Sequence, residues 1–295
     1  MKPSMAVHRG YFFVVLLFTA WVGFFGFFRP QEILRALPWP VPPLHARFIG
    51  ALYLAATVFL CLAMLARTRL QVRTIVDIAF VWTGWLLLVS LVHWGSFDFA
   101  REQAWFWWVA YIAFPVVAAW LTWARPPSVS SEFSSAVSSN LSSTNLAVSL
   151  PRQALMTQRW APILLRVQGL LLVTLAAALM LVPSWVVGLW PWKISSFLAQ
   201  VYSGPVLGLG VGSLLLAARR NWPETLIPSV GMLVFAVLAL IGSAQHLGLF
   251  VRGSASQIIW FGSLFVLAMG SLFISVIAWQ YRAVNGLGTA TGEHS

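Results

Sequence analysis

The sequence predicts an all-α polytopic membrane protein: eight transmembrane helices arranged as a tandem duplication of a four-helix unit. Three observations lead there. The 295-residue chain is 60% hydrophobic and 8% charged, whereas soluble domains carry about 25% charged residues. The apolar residues fall in separate blocks of roughly twenty, the length that crosses a hydrocarbon core of about 30 Å at about 1.5 Å per residue. The two halves also align without a gap at an offset of 153 residues.

The blocks place spans at Tyr11 to Phe28, Arg47 to Leu65, Thr74 to Trp94, Ala104 to Ala124, Ile163 to Val182, Val201 to Ala218, Ile227 to Leu247 and Ile258 to Gln280. They are continuously apolar, which favours helices over the alternating strands of a barrel. The first block follows Lys2, His8 and Arg9 and ends in Phe27, Phe28 and Arg29 without a small-residue cleavage site, so it reads as a retained span. Four regions follow: a transmembrane half at 1–124, a flexible linker at 125–160, a second half at 161–282 and a disordered tail at 283–295. The linker has Pro126 and Pro127 and then a serine-rich run over 128–149, too poor in large apolar residues to bury a core. Its sequon at Asn140 is an accidental match on this reading.

Orientation follows from loop charge. The side with both termini carries Lys2, Arg9, Arg67, Arg69, Arg73, Arg125, Arg152, Arg159, Arg166, Arg219, Arg220 and Arg282, twelve in all. The other side carries six: Arg29, Arg35, Arg47, Arg101, Lys193 and Arg252. The bias puts both termini in the cytoplasm of a multi-pass cell (plasma) membrane protein. The same scatter of basic residues argues against a nucleic-acid partner despite a net charge of +11, since loops at an anionic membrane surface have this pattern. The expected partner is the bilayer, with other membrane subunits as a further option.

The repeat matches uncommon residues. Pro30 falls on Pro183, Pro38 on Pro191, Trp39 on Trp192, Arg67 on Arg220 and Trp107 on Trp260, and His93, Gly95 and Phe97 fall on His246, Gly248 and Phe250. With four spans per half the repeats are parallel, related by an axis along the membrane normal. Pro30 and Pro183 end the first span of each half. A short amphipathic segment then leads to a Pro-Trp pair at the interface.

Few residues invite chemistry. His93 and His246 lie at equivalent depths, and if they met at the axis they could hold a haem iron, a metal or a quinone; the plainer reading has them end helices at the interface. Asp77, with Arg73 one turn earlier, reads as an ion pair at a helix end. Gly204, Gly208 and Gly212 form a packing stripe on the sixth span, with Ala51 and Ala55 of the second as a matching surface between the halves. Pro115 bends the fourth span and has no counterpart in the eighth, where Ala268 stands. Most of the seventeen tryptophans fall in belts, 39, 94, 105, 107, 108, 190 and 192 in one and 123, 160, 222 and 279 in another, while Trp21, Trp82 and Trp85 sit deep in spans. Cys61, the single cysteine, reads as a small buried hydrophobe. No catalytic signature is present, so neither an enzyme nor a cofactor is expected. The leading reading is a binding or transport unit for a small apolar ligand or lipid between pseudo-symmetric halves. A redox subunit using His93 and His246, and a structural or accessory subunit, are the alternatives.

Overall fold

Residues 4–123 and 160–290 are described in a computed structural model, with side chains as far as Tyr281. The serine-rich linker over 125–159, its Asn140, and residues 291–295 lie outside the described residues. Eight long helices follow one another: α1 (Met5–Phe28), α2 (Pro43–Met64), α3 (Arg69–Val92), α4 (Glu102–Trp123), α5 (Trp160–Leu181), α6 (Ser196–Arg219), α7 (Trp222–Ala244) and α8 (Ala255–Ala290). All eight are long and apolar enough to cross a membrane, and no strand occurs among the described residues. The chain is an integral membrane protein in contact with a lipid bilayer.

Five helices begin four to six residues before the apolar blocks do. The cause is capping. Ser4 accepts a hydrogen bond from the backbone N–H of Val7 and Ser195 from that of Leu198, Thr68 and Gln71 form a capping box, and Pro43 and Pro223 occupy first turns. A first turn leaves its N–H groups without intrahelical partners, so polar caps and proline suit it while lowering its hydropathy. At the other end α8 runs on to Ala290, so 283–290 is helix instead of the disordered tail expected there. Pro30 and Pro183 do more than stop a span: each opens a new short helix, a 3-10 turn at Pro30–Arg35 and an α-helix at Pro183–Leu189.

The helices do not pack half by half. α1 lies along α2, α5 along α6, α3 along α4 and α7 along α8, but the extensive contacts that join these pairs are α2 with α7 and α3 with α6. α2 and α3, joined by a short turn, barely touch, and neither do α6 and α7. Each half is therefore bridged by the other. Gly204, Gly208 and Gly212 face Leu86, Trp82 and Ile78 of α3, and a Cβ added at Gly212 would stand 2.5 Å from Ile78 Cδ1. The close neighbour of the glycine stripe is thus α3, where the sequence suggested Ala51 and Ala55 of α2. The α2–α7 contact inverts this arrangement, with Phe59 of α2 filling the space above Gly231 of α7.

Two further expectations need correction. Cys61 is exposed on the outer surface of α2, where a thiol contacts lipid as a small apolar group would. Among the belt tryptophans, Trp94 and Trp105 are exposed, but Trp39, Trp107, Trp108 and Trp192 are buried in protein. Depth in the membrane fixes how near a tryptophan sits to the interface, while helix rotation decides whether it meets lipid or a neighbouring helix.

Candidate functional site

The four central helices α2, α3, α6 and α7 build distinct sites at their two ends. At the end away from the termini, α2 and α6 meet through buried side chains. His45 Nε2–H donates to the Lys193 carbonyl at 3.0 Å, leaving Nδ1 to accept from the Tyr202 hydroxyl at 2.8 Å. An open cleft of about 530 Å³ lies beside them, bounded by Pro40, Leu44, Trp192 and Leu249.

His93 and His246 lie at the ends of α3 and α7 at this same end, each immediately before a 3-10 turn. His93 Nε2–H donates to Gln200 Oε1 on α6, and Gln200 in turn donates to the Met180 carbonyl at 3.0 Å. His246 Nε2 accepts from the Arg47 guanidinium on α2. Burial and then the Arg47 charge hold the His246 imidazole below its ordinary pKa. Each histidine thus contacts the opposite half, and no hydrogen bond or ring contact joins the two. No group of three His, Cys, Asp or Glu side chains among the described residues could hold a metal ion.

The end carrying the termini is more unusual. Arg219, the last residue of α6, donates through Nη2 to Asp77 Oδ2 on α3 at 2.6 Å and through Nη1 to Thr74 Oγ1 at 2.8 Å. Glu224, in the first turn of α7, is 1% exposed. It accepts from the Thr74 hydroxyl at 2.9 Å and from Arg219 at 3.3 Å. Thr122 of α4 reaches Asp77 Oδ1 at 3.4 Å. Four helices are tied together by these charge-assisted bonds. Of these side chains the sequence points to Asp77, as a partner for Arg73; the burial of Arg219 and Glu224 depends on how helices far apart in the chain meet.

Between α2, α3, α7 and α8 at this same end lies a cleft of about 500 Å³. Leu62, Leu65 and Ala66 form one wall, Trp222, Leu226, Ile227 and Val230 the second, Ala278, Trp279 and Tyr281 the third, with Gln71 at the mouth. Leu65 and Trp279 are among the most exposed large apolar residues of the chain, so the cleft opens sideways toward lipid. Sequence reading missed it, yet a trace was present: shifting the cluster residues Arg219, Glu224, Thr74 and Asp77 by 153 positions lands on Ala66, Gln71, Ile227 and Val230, all in the cleft wall.

Set against protein-family models, curated proteins and solved structures, the chain matches none of them.

Proposed function

We propose that this protein is a membrane-embedded binding or transport unit that holds a small apolar ligand or lipid between two pseudo-symmetric halves of common origin. The observation that carries this reading is the 500 Å³ cleft, which has one wall from the first half and two from the second and is lined almost wholly by apolar side chains.

Common origin is supported by contacts that recur at the 153-residue offset. Trp107 Nε1 donates to Ser90 Oγ at 2.9 Å and Trp260 Nε1 to Ser243 Oγ at 3.0 Å. Trp39 meets Phe97 and Trp107 edge-on, as Trp192 meets Phe250 and Trp260. The Gln200–His93 and Arg47–His246 contacts exchange under the same shift. On this reading Gly204, Gly208 and Gly212 serve packing between the halves, Arg73 pairs with Asp77 to join the ionic cluster, and both termini are cytoplasmic.

The test is thermal stability of the purified protein against a panel of phospholipids, fatty acids and neutral amphiphiles. Stabilisation by at least one class, lost when Val230→Phe narrows the cleft, is the expected result. No stabilisation by any class would overturn the reading. Reporter fusions after Arg152 and after Ser295 should both read cytoplasmic and one after Ser254 external.

A further inference from the structure

We infer that the occupant of the cleft at the termini end is an anionic phospholipid, with an acyl chain between α2, α7 and α8 and its phosphate at the α2–α3 turn. The inference rests on the proposed function and names its ligand class.

The apolar walls set the first requirement. A pocket of about 500 Å³ that opens sideways past Leu65 and Trp279 receives a flexible hydrocarbon chain directly from the surrounding leaflet, and burying that chain in protein instead of lipid carries little hydrophobic gain of its own. Selectivity must therefore come from the mouth. Three cations belong to the turn beside the cleft or reach it. Arg67 and Arg69 flank the turn that follows Leu65 and Ala66, and Arg9 of α1 reaches across to donate to the Ala66 carbonyl at 3.3 Å. None of the three is paired with a carboxylate among the described residues. Gln71 fixes the shape of the turn: its Oε1 accepts from the backbone N–H groups of Arg67 and Thr68.

The neighbouring ionic cluster sharpens the argument. Its carboxylates, Asp77 and Glu224, are engaged by Arg219 and threonine hydroxyls, so among the described residues no carboxylate compensates the arginines beside the cleft. A phosphodiester supplies the counter-charge that these three guanidiniums lack, because Arg matches phosphate in bidentate geometry. A neutral or zwitterionic headgroup would leave net positive charge at the mouth.

The experiment compares lipids with identical acyl chains and different headgroups: phosphatidylglycerol, phosphatidic acid and phosphatidylcholine added to the delipidated full-length protein, read by native mass spectrometry and melting temperature. The expected result is at least a fivefold preference for the two anionic lipids over phosphatidylcholine. Arg67→Gln with Arg69→Gln should reduce it to below twofold, while Lys193→Gln at the opposite end leaves it unchanged. Arg67 is an exposed turn residue and Arg69 the half-buried first residue of α3, and neither side chain bonds another described residue, so the double variant folds; Arg9→Gln offers a separate check. Equal binding of all three lipids, blocked by Val230→Phe, would overturn the anionic assignment and leave the cleft as an apolar site. Binding of none would overturn the proposed function as well. A headgroup preference that survives the arginine replacements would place the lipid elsewhere and also overturn the inference.

Discussion

At the termini end one corner of the bundle is filled and another open, and the residues of the one fall on those of the other under the 153-residue shift. Where α3, α6 and α7 converge, Arg219, Asp77, Glu224 and Thr74 fill the space with hydrogen-bonded charge. Where α2, α7 and α8 converge, Ala66, Gln71, Val230 and Ile227 stand at the shifted positions and leave about 500 Å³. The decisive difference is at one position: Arg219 reaches from α6 to both α3 and α7, and Ala66 at the shifted position is too short to bridge anything. On the proposed reading, exchanging the bridging arginine for alanine opens a pocket without altering the backbone plan, so that one half can hold the bundle together while the other receives a ligand.

The strongest way to break this comparison is to empty the filled corner. Arg219→Ala should destabilise the fold by about 3–5 kcal/mol, because it takes the cation from the buried Glu224 carboxylate and breaks the tie between Asp77 and α6. Replacing Arg219, Glu224 and Asp77 together by Ala, Gln and Val copies the open corner and removes those carboxylates. That triple variant should recover part of the lost stability, since apolar substitutes for buried ionic groups are often tolerated. Denaturation in detergent measures both, and a triple variant no more stable than Arg219→Ala would mean that charge is not what distinguishes the corners.

The next effect probes the contacts between halves. Gly212→Leu forces a side chain against Ile78 and should cost about 1–3 kcal/mol. Gly188→Leu, where nothing lies within 4 Å, should shift the melting temperature little. Equal behaviour of the two would sever the glycine stripe from stability.

The smallest effect is a pH dependence at the opposite end. The folded state depresses the pKa of His246, so below its unfolded value of about 6.5 the unfolded chain binds the proton more readily. Stability should therefore fall as pH drops from about 7 toward 5. Protonation also removes the nitrogen lone pair that accepts from Arg47. His246→Gln should flatten the curve, whereas an unchanged slope would assign the effect to another group.

The span count was legible because hydropathy blocks of membrane length are a local property, unaffected by how helices later pack. Caps such as Ser4, Thr68 and Ser195 were visible as residues, but a hydropathy criterion discards the polar first turn that they define. Tertiary partners were harder. Asp77 invited pairing with Arg73 because the two share a helix face, and nothing local announced that Arg219, 142 residues away, would bond the same carboxylate. His93 and His246 were correctly placed at helix ends, but their partners, Gln200 and Arg47, emerge only once α3 meets α6 and α7 meets α2. The cleft, a space left by side chains that are missing, had no residue of its own to announce it.

The crossed pairing of helices also constrains biogenesis. α2 and α3 leave the ribosome long before α6 and α7, and until those arrive Phe59 has no Gly231 beneath it and Trp82 no Gly208 beside it. The first four helices must therefore wait in the membrane with their mating surfaces against lipid or an insertion factor, and maturation of either half is bound to completion of the whole chain.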